Sequence, residues 1–449
     1  MKRSFAAAAG VAVVATLALA GCSGGGEAAP EESSGPVTLS LSGWSLDTTP
    51  EFQKLADAFH EENPDVTIEL KGYDATEYNT LITADLAAGS GPDIITQKEV
   101  KFVPTFVNGG QLLDVSDVEL PDEISGAGSY EVDGTAYAVP YRNDSWVLYY
   151  NKALFDQAGV EYPDGSWTWD DYSDAAAALT EGIAGAGGTA KGAYLHNWQS
   201  TVQGFANAQS DGDILEGEYD YMEPFYDNVL ALQDAGDQLD FNTAKANQVT
   251  YQGEFGKQNA AMLPMGTWFV ATLIAQQASG DADDFEWGIA PIPQVDSDTA
   301  GLDNTPVTFG DPTGFGINAA IDESKVAAAK KFLAFAAGEE GAQVLAEIGI
   351  TPALLTDDVV ETYFSVDGAP SDDLSKFAYS THEVYPENPT SDKAAAIQGI
   401  LGDMIAVCMS PRMPWIAAAL FDVGFSGCTS CVEYANFDRS SVGAPSTEK

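Results

Sequence analysis

The sequence AVPYRNDSWVLYYNKALFDQAGVEYPDGSWTWDDY, residues 138–172, predicts a change of lobe within one short stretch. A strand with a polar tip, Tyr141 to Asp144, precedes a second, apolar and aromatic strand, Trp146 to Tyr150. A short helix follows, and then a second helix start in which Thr168 is the predicted N-cap and Asp171 lies in the first turn. We interpret this stretch as the seam between two lobes.

The chain before the seam predicts an α/β sheet. Its 449 residues exceed the roughly 250 to 300 at which a single core stops growing, so two lobes are expected. Residues 37–42 alternate as a strand does, and a second strand is predicted at 66–70. A helix with one apolar face lies between them, so the three elements form a β-α-β unit with parallel strands. A third strand, 93–96, is followed by Gln97 and Glu99, at the strand end where ligands bind in open α/β sheets.

The first 36 residues predict export and anchoring. Lys2 and Arg3 precede an uncharged run, which is typical of a signal peptide and shorter than the about 20 residues of a membrane span. The following Leu-Ala-Gly-Cys, ending at Cys22, resembles a bacterial lipobox. That resemblance implies a signal peptide at 1–21, a lipid on Cys22 and a flexible tether at 22–36. A plain secretory signal or a single membrane span is the alternative.

The formal charge of the chain is −49, from 68 acidic and 19 basic residues. Loss of Lys2 and Arg3 with a signal peptide leaves 17 basic residues and a charge of −51. Such a surface repels nucleic acid and anionic membranes, so neither is an expected partner. It also disfavours phosphorylated or polyanionic ligands and leaves neutral or cationic ones, although a solubilising acidic surface explains most of the charge.

Seven motifs occur in a fixed order along the chain. They are the lipobox; GPDI (91–94); YAVP (137–140) with LYYNKALFDQAG (148–159) and TWDDY (168–172); AMLPMGTW (261–268); WGIAPIP (287–293); GFGINAA (314–320); and AAAKKFLAFAAGEEGAQVLAEIGITPAL (327–354). In this order they resemble the extracellular solute-binding proteins of ABC importers, in the branch that includes maltodextrin- and oligosaccharide-binding proteins.

This resemblance implies a two-lobed, periplasmic-binding-protein-like (type II) α/β fold with discontinuous lobes joined by hinge strands. It assigns 37–144 and 287–315 to the N-terminal lobe, and 145–286 and 316–406 to the C-terminal lobe. The implied function is that of a monomeric, lipid-anchored, non-enzymatic receptor on the extracellular face of the membrane. It captures a neutral sugar, an oligosaccharide, between its lobes and delivers it to an ABC permease.

A sugar site needs aromatic plates for the apolar ring faces and a few fixed polar groups for the hydroxyls. By position or by resemblance we predict that ten residues bind the ligand: Trp44, Gln97, Glu99, Tyr141, Arg142, Asn143, Asp144, Trp198, Trp268 and Asp311. Asp144 matches, by resemblance, an acidic residue six positions before the Tyr of YNK in maltodextrin binders. The alternatives are core packing for the tryptophans and a solvated strand end for the polar residues.

Two other function classes stay open. A secreted glycoside hydrolase needs only two suitably spaced carboxylates, although the chain has no HExxH or GxSxG motif and no catalytic residue is predicted. A receptor for a cationic or zwitterionic solute would use the same aromatic residues as a cage. No cofactor or metal is predicted, with calcium in the acidic loop 211–216 as an alternative.

The tail, residues 407–449, departs from the rest of the chain. From Cys408 onward it holds three of the four cysteines but only 4 acidic and 3 basic residues, and Pro411 and Pro414 oppose a continuing helix. We interpret this tail as the product of a frame change near Val407. A genuine extension, with a disulfide or half a metal site at Cys428 and Cys431, is the alternative.

Overall fold

The computed structural model describes residues 35–46 and 49–409. The predicted signal peptide, Cys22, most of the tether and the tail after Met409 therefore lie outside the described residues. Within the described part of the chain, none of the helices combines the length and apolar character needed to cross a bilayer.

The strands lie in two main sheets and two short ribbons. They are β1 (Val37–Trp44), β2 (Val66–Tyr73), β3 (Ile94–Gln97), β4 (Glu131–Val132), β5 (Thr135–Ala136), β6 (Val139–Asn143), β7 (Trp146–Asn151), β8 (Lys191–Ala193), β9 (Ala260–Gly266), β10 (Trp287–Ala290), β11 (Val307–Gly310), β12 (Pro312–Ile317) and β13 (Glu383–Pro386).

The helices pack on these sheets. They are α1 (Glu51–Glu62), α2 (Tyr78–Ala87), α3 (Val103–Asn108), α4 (Lys152–Ala158), α5 (Trp169–Gly185), α6 (Ser200–Ala208), α7 (Glu223–Ala235), α8 (Phe241–Ala246), α9 (Tyr251–Gly256), α10 (Trp268–Ser279), α11 (Glu323–Ala337), α12 (Glu339–Ala346), α13 (Asp357–Phe364), α14 (Asp373–Ser380) and α15 (Ala394–Cys408). The predicted cap of α5 is confirmed, since Thr168 and Asp171 form a reciprocal capping box.

The first lobe is built on a five-stranded sheet of order β2-β1-β3-β12-β6. β1 runs parallel to β2 and β3, as the predicted β-α-β unit requires, and β12 runs antiparallel to β3 and β6. Side chains of α1, α11 and α12 form one core with this sheet. A smaller core on α2 and α3 includes Tyr78, Ile82 and Phe106.

The second lobe is built on a four-stranded sheet of order β10-β7-β9-β8. β7 lies between antiparallel β9 and β10, and all six of its residues are buried. Such burial on both faces explains why WVLYYN reads as a continuous apolar run and not as an alternation. The two sheets confirm the predicted α/β architecture.

The predicted lobe boundaries are wrong in two places. Strand β10, assigned to the N-terminal lobe, pairs with β7 in the second sheet. Helices α11 and α12, assigned to the C-terminal lobe, pack on the first, where Phe332 lies 5.3 Å from Phe59 and 5.5 Å from Phe315 between ring centroids. Local sequence shows that a strand or helix forms, but the choice of partner depends on long-range contacts that periodicity does not encode.

The chain crosses between the lobes at three places. It leaves the first sheet at Asn143 and enters the second at Trp146, and it returns between Gly310 and Pro312. The third crossing follows Ile350, which packs in the first lobe, and ends before Leu354, which packs in the second. We call these the first, second and third crossings.

The first two crossings pass each other closely. A Cβ atom on Gly310 would lie 2.1 Å from the backbone oxygen of Asp144, so only glycine fits at that position. The Thr308 hydroxyl donates to the Trp146 carbonyl at 2.7 Å. The connections between the lobes therefore run side by side, as a hinge requires.

Candidate functional site

A cavity of about 810 Å³ lies between the two lobes. The first lobe contributes Lys98, Glu99, Lys101 and Phe102, which follow β3 at the carboxyl end of the strand. The second lobe contributes an aromatic wall, and the second crossing contributes Asp311. Further lining residues include Asn197, Gln199, Ser200, Lys245, Glu387, Asn388, Gln398 and Asp403. Because both lobes line this cavity, a molecule inside it contacts both at once.

The aromatic wall consists of Trp146, Trp198 and Trp268. The centroid of the Trp268 ring lies 5.5 Å from that of Trp146 and 6.5 Å from that of Trp198. Trp198 is the most open of the three, with 40% of its surface exposed. These rings offer flat apolar surface with a polar N–H at the edge, which suits a ring-shaped ligand with polar substituents.

Local backbone geometry explains the Gly-x-Trp motif. A Cβ atom on Gly266, the last residue of β9, would lie 1.9 Å from the Trp268 ring. The glycine therefore lets the indole lie against the strand end. The Trp268 Nε1 donates to the Tyr251 hydroxyl at 3.3 Å, which fixes the ring orientation.

The polar wall of the cavity centres on two carboxylates. The backbone N–H and the Nδ2 of Asn388 donate to Asp311 at 3.3 and 2.8 Å. The Ser200 hydroxyl donates to Glu387 at 2.5 Å. Burial, which disfavours the charged form, raises the pKa of Asp311 to about 6 and that of Glu387 to about 7. At neutral pH this pair is therefore only partly ionised.

The first-lobe wall is polar and internally paired. Glu99 accepts a hydrogen bond from Asn79 at 2.9 Å and forms an ion pair with Lys101 at 2.8 Å. The Nζ of Lys98 donates to the Ala75 carbonyl and lies 5.4 Å from the Trp44 ring centroid. Both lysines have contacts within the protein, and the charge of Lys101 also acts on Asp311 and Glu387, where it opposes the rise in their pKa values.

Four of the ten predicted ligand-binding residues line this cavity: Glu99, Trp198, Trp268 and Asp311. Three others form a buried network at the first crossing. Arg142 donates to Asp144 from Nε and Nη2 at 2.9 and 2.6 Å, and from Nη1 to Glu51 at 2.7 Å. Tyr141 donates to the second Glu51 oxygen at 2.8 Å, and the Thr267 hydroxyl donates to Asp144 at 3.1 Å. Their polar groups are thus committed within the protein.

The remaining three predicted residues lie in the first lobe. Trp44 packs edge-on against Phe52 and Tyr78, with ring centroids 5.2 and 5.1 Å away. Asn143 is buried and donates to the Ser125 hydroxyl at 2.6 Å. Gln97 is 1% exposed, and neither polar atom of its side chain has a hydrogen-bond partner among the described residues. It lies beside the cavity wall without lining it.

Sequence reasoning missed several cavity residues, notably Lys101, Glu387, Asn388 and Gln398. Glu387 and Asn388 follow the short strand β13, and Gln398 lies on α15, far from the motifs that predicted the site. The only signal was the turn-forming sequence Pro-Glu-Asn-Pro at 386–389, which marks a loop without indicating its direction.

The calcium alternative concerned the loop at 211–216. There Asp213 accepts a hydrogen bond from the backbone N–H of Leu215 at 2.8 Å. Within the described residues, no group of three or more His, Cys, Asp or Glu side chains is arranged to hold a metal ion.

A second cavity, of about 540 Å³, lies inside the second lobe. Its lining is mainly apolar and includes Trp169, Phe205 and Phe225. Because residues of one lobe line it, occupancy there makes no bridge between the lobes. The cavity between the lobes is therefore the candidate site for a ligand that drives closure.

Comparison with known proteins gives one family match. Residues 45–343 match the family described as bacterial extracellular solute-binding protein. A solved sugar transporter from Rhizobium etli, in an open conformation, is 30% identical with a TM-score of 0.74, over 90% of this chain and 100% of that one.

Two curated relatives match over shorter stretches. A putative binding protein of Brucella abortus is 28% identical over 142 residues, which are 30% of this chain and 33% of the relative. An arabinooligosaccharide-binding protein of Halalkalibacterium halodurans is 34% identical over 139 residues, which are 29% of this chain and 31% of the relative. The chain thus spans about a third of the length of these curated relatives.

Proposed function

Because the chain belongs to the bacterial extracellular solute-binding protein family, we propose that it is the substrate-binding component of an ABC importer for an oligosaccharide. The ligand binds between the lobes, the lobes close on it, and the closed form delivers it to the membrane permease. In this proposal the protein is a monomer without catalytic activity, held at the extracellular face of the membrane by a lipid on Cys22.

The observation that carries this proposal is the composition of the cavity between the lobes. One wall presents Trp146, Trp198 and Trp268, and the others present carboxylates, amides and a hydroxyl. Aromatic plates with a small number of polar groups suit the apolar faces and the hydroxyls of a sugar. The names of the Rhizobium etli sugar transporter and the arabinooligosaccharide-binding relative support the same substrate class.

Closure follows from contacts to both lobes. A ligand shifts the equilibrium toward the closed form only if it binds that form more tightly. A molecule stacked on Trp198 in the second lobe and bonded to Glu99 or Lys101 in the first makes its full set of contacts only when the lobes approach. The adjacent crossings supply the hinge.

We assign direct ligand contacts to Glu99, Trp198, Trp268 and Asp311, the predicted residues that line the cavity. The network of Arg142 and its partners instead supports the hinge, and Gln97 and Asn143 provide buried polar groups beside the site. In this assignment the ligand still binds between the lobes, but it lies beside the second crossing and not beside the first.

Titration calorimetry across a panel of neutral oligosaccharides tests the proposal. We expect micromolar binding of at least one, with about 8 kcal/mol of binding free energy. Trp198→Ala should weaken that binding about fivefold to tenfold, since an aromatic contact contributes about 1 kcal/mol beyond its area. Trp167, half-buried against Phe155 and outside the cavity, provides the matched control Trp167→Ala, which should leave the affinity unchanged.

The same panel separates the other function classes. Release of reducing ends from a bound oligosaccharide would identify a hydrolase. Binding of a quaternary ammonium solute such as glycine betaine, with no saccharide bound, would identify a receptor for cationic or zwitterionic solutes and would reject the sugar assignment.

A further inference from the structure

One side of the cavity includes four side chains that carry hydrogen-bond acceptors. The carboxylates of Asp311 and Glu387 lie together there, because Asn388, the residue after Glu387, donates two hydrogen bonds to Asp311. The side chains of Asn388 and Gln398 line the same side of the cavity. We call these four residues the acceptor cluster.

Two amide oxygens of the acceptor cluster have no partner. Asn388 is 3% exposed and Gln398 is 4% exposed, so both side chains are buried in the cavity wall. Among the described residues, neither the Oδ1 of Asn388 nor the Oε1 of Gln398 receives a hydrogen bond. The Nδ2 of Asn388 donates to Asp311, which fixes that amide with its oxygen turned away from the carboxylate. Buried acceptors are normally paired, so this cluster lacks donors.

The carboxylates of the acceptor cluster also have no contacting cation in the described part of the chain. Within the described residues, no Lys, Arg or His nitrogen forms an ion pair with Asp311 or Glu387. The cations that line the cavity have other contacts. Lys101 pairs with Glu99, Lys98 donates to a backbone carbonyl, and Lys245 lies over the Phe241 ring. Two carboxylates therefore face the cavity without a positive charge in contact, and the charge of Lys101 acts on them only from beyond ion-pair distance.

We propose that the acceptor cluster is a subsite for a protonated amine of the ligand, so that the ligand is an amino sugar or an oligosaccharide that contains one. This inference rests on the proposed function and narrows its ligand from a wholly neutral sugar to one with a cationic group. An ammonium group donates three hydrogen bonds and carries the missing charge, whereas a hydroxyl donates one and carries none. The tryptophans hold the ring while the amine reaches the carboxylates.

The protonation of the pair supports this assignment. Burial raises the pKa of Asp311 to about 6 and of Glu387 to about 7, so near neutral pH the empty pair holds part of a proton. A bound ammonium group favours the ionised carboxylates, so its binding releases that proton. The other charged or titratable groups that face the pair or share its cavity are Lys101, Glu99, Tyr130, Lys98, Lys245 and Asp403.

Calorimetry with the monomers and β-1,4-linked dimers of glucosamine, N-acetylglucosamine and glucose tests the subsite. At pH 7 we expect the glucosamine compound to bind about tenfold more tightly than its acetylated and unsubstituted counterparts. Its preference should fall as the pH is lowered to 5.5. Titrations in two buffers of different ionisation enthalpy should show proton release on binding of the amine and none with glucose.

Variants of the same side-chain shape test whether Asp311 and Glu387 cause the preference for the amine. Asp311→Asn and Glu387→Gln should each remove most of the preference for the amine compound over its neutral counterparts, as the ratio of the two dissociation constants measures. Glu383→Gln is the matched control, because Glu383 is an exposed acid on β13 just before the cluster and outside the cavity lining. Thermal unfolding of each variant checks that the fold is kept.

The calorimetric results lead to three different conclusions about the subsite and the proposed function. Neutral oligosaccharides that bind without any preference for the amine would overturn the subsite and leave the proposed function standing. An amine preference that persists in both variants would overturn the assignment to these residues. If no saccharide in either panel binds, the proposed function and the subsite both fail.

Discussion

Acidic residues at the first and second crossings differ in whether a cation contacts them. At the first crossing, Asp144 and Glu51 are both bonded to the guanidinium of Arg142 at 2.6 to 2.9 Å. At the second, Asp311 and the neighbouring Glu387, which follows β13, have no cation in contact among the described residues and face the cavity. The same residue type thus stabilises the hinge at one crossing and faces the candidate ligand at the other.

The difference appears in the pKa values. Burial lowers the pKa of Arg142, but the charges of Asp144 and Glu51 outweigh that effect and raise it above the ordinary value. Near the second crossing burial raises the pKa of both acids, because their hydrogen bonds and the charge of Lys101 offset only part of the desolvation. A satisfied buried network is structural, whereas an unsatisfied one in a cavity wall indicates a functional site.

The largest effect is expected from removal of the arginine. Arg142→Met leaves Glu51 and Asp144 buried without a counter-charge, so the free energy of unfolding should fall by about 3 to 5 kcal/mol in urea denaturation. The control is Lys330→Met, which breaks the more exposed ion pair with Asp117 and should change stability by less than about 1 kcal/mol. Equal effects of the two variants would contradict the structural role of the first crossing.

The contact between the two crossings is tested next. Gly310→Ala places a methyl group against the Asp144 carbonyl, so we expect a loss of about 2 to 3 kcal/mol in the same measurement. Gly128→Ala is the control, because a Cβ atom there meets no heavy atom within 4 Å. A stable Gly310→Ala variant would show that the crossings separate easily.

The acid pair at the second crossing should destabilise the protein as the pH rises. Both folded-state pKa values lie above the ordinary ones, so the folded state holds more protons and stability is lost as the pH rises from about 4 through about 7. The double variant Asp311→Asn, Glu387→Gln should remove this loss and gain on the order of 1 to 2 kcal/mol over the wild type at pH 8.

The comparison of wild type with that variant separates the pair from the histidines. Burial lowers the pKa of His196 and His382 to about 4, so their contribution to stability is lost as the pH falls from 6.5 to 4. Because both proteins contain these histidines, the difference between their stability curves reports the pair. A difference that does not vary between pH 4 and pH 8 would refute the raised pKa values.

The smallest effect is expected from the Thr267 hydroxyl beside the first crossing, which donates to Asp144 and accepts from the Thr351 hydroxyl at 2.8 Å. Thr267→Val removes the hydroxyl that donates to Asp144 and keeps the side-chain shape, so stability should fall by about 1 kcal/mol. Thr38→Val changes an exposed threonine of β1 and serves as the control. An unchanged free energy of unfolding in Thr267→Val would mean that Arg142 alone satisfies Asp144.

Much of the architecture followed from local sequence. The alternation in 37–42, the apolar run of β7 and the Thr168 cap of α5 each reflect backbone and side-chain preferences within a few residues. The order of motifs identified the two-lobed family and placed a ligand between the lobes. These features are local or cumulative, so the sequence determined them without knowledge of distant contacts.

Tertiary structure decided which strands pair and which polar side chains face the cavity. Glu51, which bonds to Arg142, lies 91 residues from it in the sequence. Asn388, which bonds to Asp311, lies 77 residues from it. Asp144 follows a strand of the first sheet and Asp311 precedes one. The neighbouring Arg142 indicates a local partner for Asp144, but no local pattern shows that Glu51 shares that arginine or that Asp311 has Asn388 and Glu387 beside it. That distinction depends on long-range packing, which fixes burial and the nearest charge, and so only the folded chain determined the site.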